Sequence, residues 1–222
     1  MNQVAPTPAS SAQNEEKTIY NIAPEMPGGG KVYQIVKRTF DFLFSLLALL
    51  IFFLPMLIIA IAIKSDSKGP VFFTQDRVGK NGKSFAVYKF RTMVVNAEAA
   101  GPQWASKDDD RCTKVGKFLR KTRLDEMPQF LNILFGHMSI VAPRPEREFF
   151  YEQFETYIHG FRNRLAVTPG LTGLAQVNGG YNLTPEEKVV YDMQYIKDQS
   201  LLLDLKLIFQ TVKLVFTHEG AR

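Results

Sequence analysis

Cysteine is almost absent: Cys112 is the only one among 222 residues. A single thiol excludes an internal disulfide framework and any cysteine-based metal cluster within one chain, and it fits a reducing compartment. Histidine is nearly as scarce. His137, His159 and His218 stand far apart, so neither paired-histidine zinc spacing nor a histidine-based triad has support. The Gly-x-Ser-x-Gly elbow is missing. Gly28-Gly29-Gly30 before Lys31 fails as a phosphate loop, because Glu25 stands where its first glycine belongs and Val32 where Ser or Thr is needed. Charge of either sign is missing from Phe42 to Ile63, where Ser45 is the one polar side chain.

What is present is a chain 45% hydrophobic and 12% aromatic, which excludes wholesale disorder and suits one domain with appendages. Net charge is +5, and the first 30 residues, with Glu15, Glu16 and Glu25 against Lys17, leave +7 for the rest. That surplus favours anionic partners: nucleic acid, phosphorylated metabolites or acidic headgroups. Residues 1–30 read as a disordered tail ending in a glycine linker. Residues 31–66 read as a membrane segment and 67–222 as the folded body. A helix over Phe42–Ile63 reaches roughly 33 Å, enough to cross the hydrocarbon layer. Pro55 inside the run predicts a kink or break. Lys31, Lys37 and Arg38 precede the run and Lys64, Lys68 and Arg77 follow it, so the flanks choose no orientation. A kinked span and a hairpin that enters and leaves on one face both satisfy this pattern.

Two short runs around Asn81-Gly82 predict a β-hairpin over 71–93. Residues 94–113 read as a loop. Thr184-Pro185-Glu186-Glu187 is a helix start with a capping box. Ser200–Phe216 is an amphipathic stretch, with Leu201, Leu205, Ile208, Val212 and Val215 on one side and Lys206, Gln210 and Lys213 polar. It either packs on the core or lies in a membrane interface.

The densest polar stretch is Lys114–Glu126. Five cations lead to Asp125-Glu126, and Thr122 reads as an N-cap that places both carboxylates at a helix N-terminus. Neighbouring cations are expected to keep both ionised. An ionised aspartate among phosphate-neutralising cations is a plausible nucleophile at phosphorus. Arg144 and Arg147 around Pro145 form a second basic cluster suited to phosphate, and Lys89 and Arg91 share one face of the second hairpin strand. Asp108-Asp109-Asp110 contains an Asp-x-Asp, a divalent-metal pattern of many nucleotide-sugar glycosyltransferases, inside a charged loop.

The order of segments is more specific than any one of them. Lys37-Arg38-x-Phe40-Asp41 leads into the apolar run. F-F-T-Q-D-R-V-G-K-N-G-K-S-F (72–85), Y-K-F-R-T-M (88–93), F-L-R-K-T-R-L-D-E-M-P-Q (118–129) and N-I-L-F-G-H-M-S-I-V-A-P-R-P (132–145) follow. P-G-L-T-G-L-A-Q-V-N-G (169–179) and S-L-L-L-D-L-K (200–206) complete the series. From about residue 31 to 217 the chain resembles the bacterial sugar transferases, the monotopic polyprenyl-phosphate phosphoglycosyltransferases.

The resemblance implies an α+β fold: a mostly helical, small membrane-associated domain with a β-hairpin, an N-terminal re-entrant helix broken at Pro55, and interfacial amphipathic helices. It implies transfer of a sugar-1-phosphate from a UDP-sugar to undecaprenyl phosphate, with UMP release, at the cytoplasmic face of the bacterial inner membrane. That is the first membrane step of capsule, exopolysaccharide or O-antigen assembly. Asp125 falls on the nucleophile and Glu126 on its acidic partner. Mg²⁺ is expected on Asp125 with substrate oxygens. Lys89, Arg91, Arg120, Arg144 and Arg147 are the candidate phosphate binders. Nucleic acid is not an expected partner, and a homodimer is left open. The chain departs from the family pattern at Leu54, where Ser is common, at His137, where Asp is common, and at Ala142, where Gly is common. Two rival readings are a polyprenyl-phosphate glycosyltransferase that releases UDP and a membrane-anchored scaffold without turnover.

Overall fold

The computed structural model describes residues 18–99, 101 and 109–217. In chain order its elements are β1 (Tyr20–Asn21), α1 (Gly30–Asp66), β2 (Phe72–Val78), β3 (Ser84–Phe90), α2 (Lys114–Thr122) and α3 (Gln129–Leu134). Then come β4 (Ser139–Val141), α4 (Glu148–Glu155), β5 (Ile158–His159), β6 (Gly170–Thr172), α5 (Leu174–Val177), α6 (Pro185–Asp198) and α7 (Leu201–Thr217). Helices dominate and the strands form three two-stranded sheets, a mixed α+β architecture.

The expected tail is corrected over its second part. β1 pairs in parallel with β5, and Glu25 reaches Lys197 at 3.6 Å. Residues 1–17 lie outside the described residues. A two-residue parallel strand carries no periodicity, so nothing in the sequence announces this pairing.

α1 runs 37 residues, roughly 55 Å at 1.5 Å per residue, and is helical through Pro55, so the expected helix-break-helix is one helix here. It is the one described helix long and apolar enough to cross a membrane. Most of its side chains from Phe42 to Ile58 are exposed to solvent, an arrangement water does not favour. Its polar first half docks instead. Lys37 pairs with Asp204 at 2.7 Å. Arg38 donates to the carbonyls of Ile133 and Leu134 at the C-terminal end of α3. Asp41 accepts from the backbone N–H of Ile140 at 3.0 Å. One turn of α1 therefore holds α7, α3 and β4 together. At the other end Ile63 is buried against Phe90, Leu119 and Met127, and Asp66 accepts from the N–H of Val115. Both ends of α1 dock on the same body.

The hairpin forms as expected. β2 and β3 are antiparallel in a register from Phe72↔Phe90 to Val78↔Ser84, and the turn uses left-handed Asn81 and Gly82. α2 sits directly on the chain after β3, where a Cβ on Gly116 would lie 1.9 Å from the Thr92 carbonyl oxygen. The main core joins Val78, Val87, Ile133, Phe150, Phe161, Val189 and Ile196, among others. The capping box at α6 is present, with Thr184 accepting from the Glu187 N–H and Glu187 from the Thr184 N–H.

α7 is amphipathic, but its faces differ from the expected ones. Asp204 turns inward and accepts from Tyr33, Lys37 and Tyr195 at 2.7–2.9 Å. Burying that carboxylate fixes the rotation of the helix. Leu207 and Ile208 then pack on the core, while Leu202, Leu205, Phe209, Val212 and Phe216 form the exposed apolar stripe. Ile208 and Val215 are thereby corrected to the inner side.

An isolated bridge, Met93↔Cys112, closes the 94–111 loop. Asp109 grips Arg111 through Nε at 2.8 Å and Nη2 at 2.6 Å. These hydrogen bonds hold the Asp109 carboxyl down at about 2, against 3.8 for a free aspartate. A depressed carboxyl contributes stability above its unfolded value and loses it as pH falls through the folded value. Asp109→Asn should therefore lower the melting temperature at pH 7. It should also flatten the acid-unfolding limb between about pH 4 and pH 2. Parallel melts across that range check it. Asp108, half of the Asp-x-Asp pattern, lies outside the described residues.

Candidate active site

α2 begins at an N-cap, Thr113, whose hydroxyl accepts from the Gly116 N–H. It ends at Thr122, whose hydroxyl bonds back to the carbonyls of Phe118 and Leu119. The expected N-cap role of Thr122 is thus corrected: it closes one helix and does not open the next. Arg123 adopts a left-handed conformation, φ 58°, which turns the chain. That conformation is uncommon for a residue with a Cβ and costs about 1 kcal/mol or more. Leu124–Glu126 then form a single 3₁₀ turn leading through Pro128 into α3. Asn132 fixes α3 to the hairpin: its side chain accepts from the Tyr88 N–H and donates to the Ala86 carbonyl.

The two carboxylates of this turn have opposite surroundings. Glu126 accepts from Lys89 at 2.9 Å and from both terminal nitrogens of Arg144, a fork grip. Burial pushes its carboxyl up, but Arg144 and Lys89 outweigh burial and hold it well below the usual range. Asp125 is buried and makes no side-chain hydrogen bond among the described residues. Burial first, and the adjacent Glu126 charge second, push its carboxyl above the usual range against the pull of Lys89, Arg120 and Arg144. The expectation that the cations act alike on both carboxylates is corrected: Lys89 and Arg144 bond to Glu126, while Asp125, raised to about 6, feels them only through space and is ionised at pH 7.

Asp125 lines a cavity of about 640 Å³, with ten cationic side chains and four carboxylates around it. That imbalance suits a polyanionic ligand. All five candidate phosphate binders reach this cavity, with different commitments. Lys89 and Arg144 carry Glu126. Arg120 gives Nε to Thr92 Oγ1 at 2.9 Å. Arg147 pairs with Glu98 at 3.0 Å. Arg91 spends three donors on the carbonyls of Ser67, Lys68 and Pro70, so it shapes the loop after α1 as much as it lines the wall.

Arg164 and Asp192 escape a reading of the sequence. They form a buried ion pair at 2.5 Å against the same cavity, and Arg164 donates to the Arg144 carbonyl, bracing that residue from behind. The available signal was Asp192 on the face of α6 that also carries Val189, Met193 and Ile196, all buried. A charge there needs a partner.

The sequence matches the profile of the bacterial sugar transferases over residues 32–218. It is 44% identical over 194 residues to a UDP-N-acetylgalactosamine-undecaprenyl-phosphate N-acetylgalactosaminephosphotransferase of Aeromonas hydrophila, covering 86% of this chain and 46% of that protein. It is 46% identical over 195 residues to a UDP-glucose:undecaprenyl-phosphate glucose-1-phosphate transferase of Klebsiella pneumoniae, covering 86% and 42%. A third relative, the exopolysaccharide production protein PSS of Rhizobium leguminosarum bv. phaseoli, is 40% identical over 190 residues, 80% of this chain and 94% of that one. The chain thus spans less than half the length of the first two and nearly all of the third. With the profile matching most of its length, the chain belongs to the bacterial sugar transferase family.

Proposed function

We propose that this chain transfers a sugar-1-phosphate from a UDP-sugar to undecaprenyl phosphate through a covalent intermediate on Asp125. One observation carries the reading: Asp125 is buried and uncommitted at the wall of a cation-rich cavity, while both oxygens of Glu126 are occupied. The names of the relatives support the substrate class.

In the first step an Asp125 carboxylate oxygen attacks the phosphorus that bears the sugar. A P–O bond forms, the diphosphate P–O bond breaks, and its electron pair leaves on UMP. In the second step an oxygen of the polyprenyl phosphate attacks the same phosphorus. The acyl phosphate breaks and Asp125 returns as a carboxylate. An ionised acceptor phosphate has no proton to lose, so no general base is required. Glu126 is accordingly a positioning residue: it holds Lys89 and Arg144 beside the reacting phosphates. Arg120 and Arg147 add charge at the wall.

No cluster of three metal-ligating side chains occurs among the described residues. The donor set, one free carboxylate beside a phosphate cavity, still fits Mg²⁺, which takes few protein ligands and completes its shell with substrate oxygens and water. Asp125 would hold it. The ion would neutralise phosphate charge as it builds up.

The placement of α1 supports a re-entrant segment at the cytoplasmic face, since Asp41 just before the apolar run and Asp66 just after it anchor to the same body. Pro55→Ala restores the missing backbone N–H and removes the ring clash. It is expected to move a cysteine placed at residue 10 from protected to labelled by an impermeant thiol reagent in intact cells. Equal protection in both proteins would count against a proline-dependent break. The test of the overall function is the nucleotide released with UDP-sugar and undecaprenyl phosphate present. UMP is expected, and UDP would indicate transfer of the sugar alone.

A further inference from the structure

The cavity beside Asp125 has two unlike walls. One is cationic. The other is formed by Pro70, Phe72, Phe73, Met93, Val94 and Val95. Four of these are large apolar side chains that stay exposed: Phe72 at 49%, Phe73 at 40%, Val94 at 48% and Val95 at 53%. Each leaves unfavourable apolar surface in water. A nucleotide sugar has only its base to stack on them, too little to cover a wall that also includes Val94 and Val95.

The apolar wall continues into α1. Phe72 stacks on Phe90, with centroids 5.4 Å apart and planes 18° from parallel. Phe90 is fully buried in the small core with Ile63, Leu119 and Met127, into which Met56 and Ile59 of α1, Val71 and Leu124 also pack. Leu124 and Met127 flank Asp125-Glu126 in sequence. The exposed wall is thus backed, through Phe72 and Phe90, by a core shared with the second half of the membrane helix and with the turn that carries the nucleophile. At its polar end stands Arg120, whose Nε is bound to Thr92.

We propose that this wall is the binding surface for the isoprenoid chain of the lipid phosphate, with Phe73 and Val95 as its contact residues. The chain leaves the bilayer along the half-buried Met56 and Ile59, lies on Phe72, Phe73, Val94 and Val95, and delivers its phosphate to Arg120 and Asp125. The occupant is fixed by two properties of the surface: continuity with the membrane helix, which selects a lipid, and cations at one end, which select an anionic head. The assignment rests on the reading of Asp125 given above.

The test uses the full chain in detergent micelles. The photoreactive p-benzoylphenylalanine replaces Phe73 or Val95, and separately Phe209 on the exposed stripe of α7 as a control. Tritiated undecaprenyl phosphate is expected to label positions 73 and 95, with excess unlabelled undecaprenyl phosphate suppressing the label about tenfold and phosphatidylglycerol leaving it unchanged. Label at 73 and 95 no stronger than at 209, or suppressed equally by phosphatidylglycerol, would show an ordinary bilayer contact and overturn the proposal. Labelling does not depend on turnover, so a failure of the Asp125 chemistry is seen separately. As a second measurement, Phe73→Ala with Val95→Ala should raise KM for undecaprenyl phosphate about tenfold relative to KM for dimethylallyl phosphate. An equal change for the long and the short acceptor also contradicts the proposal.

Discussion

Asp125→Asn is expected to lower turnover by at least ~10³-fold, because an amide cannot form the acyl phosphate that both steps require. The same substitution should raise the melting temperature at pH 7–8. Burial and the neighbouring Glu126 charge push the Asp125 carboxyl above its ordinary value. A carboxyl with a raised folded value is ionised in the folded state only at a cost once the pH exceeds it, and asparagine removes that cost. The gain should be about 3 °C and should shrink as the pH falls and Asp125 becomes neutral. Loss of activity with gain of stability is what a strained functional carboxylate produces. A structural aspartate would lose both. Turnover assays and melts on the same preparation decide it, and full activity would remove Asp125 from the mechanism.

Glu126→Gln should act with the opposite sign on stability. The Glu126 carboxyl is held well below its ordinary value by Arg144 and Lys89. The stability it contributes is therefore fully present above its unfolded value near 4.5 and lost only as pH falls through the depressed one. Replacing it leaves two partly buried cations without a charged partner, a cost of about 2 kcal/mol at pH 7 after discounting for their residual exposure. Lys89 and Arg144 then turn to the nearest carboxylate, Asp125. Its proton is lost at lower pH, so the acid limb of the rate profile should move to lower pH. The plateau should fall about 10²-fold, because a nucleophile gripped by cations attacks less readily. A profile of unchanged shape, lowered only in height, would assign Glu126 to substrate contact instead.

These opposite responses come from residues adjacent in the chain, and only part of their difference was legible in the sequence. The Asp-Glu pair stands out among its cations, and the hairpin that carries Lys89 is announced by Asn81-Gly82. The capping box at Thr184 is equally plain. The turn itself was not legible, because Arg123 in a left-handed conformation looks like any other cation in a helical stretch. Thr122 has the chemistry of an N-cap, yet its hydroxyl serves the preceding helix. Arg164 and Asp192 lie 28 positions apart, and only the fold brings them together behind Arg144. The rotation of α7 was misread for a similar reason. Asp204 lies across the helix from Lys206, Gln210 and Lys213, on the side that turns inward, and only Tyr33, Lys37 and Tyr195 in other elements make a buried site for it. Periodicity finds a helix face and cannot see a polar partner waiting in another element.

The covalent intermediate is the central claim, and donor alone is enough to test it. The full chain is incubated with Mg²⁺ and UDP-sugar, without lipid, quenched and examined by intact-protein and peptide mass spectrometry, with released nucleotide measured in parallel. The account expects a mass gain equal to one sugar phosphate, on the peptide containing Asp125, with one equivalent of UMP and no further release until undecaprenyl phosphate is added. An unmodified protein that releases UMP only after undecaprenyl phosphate is added would contradict it.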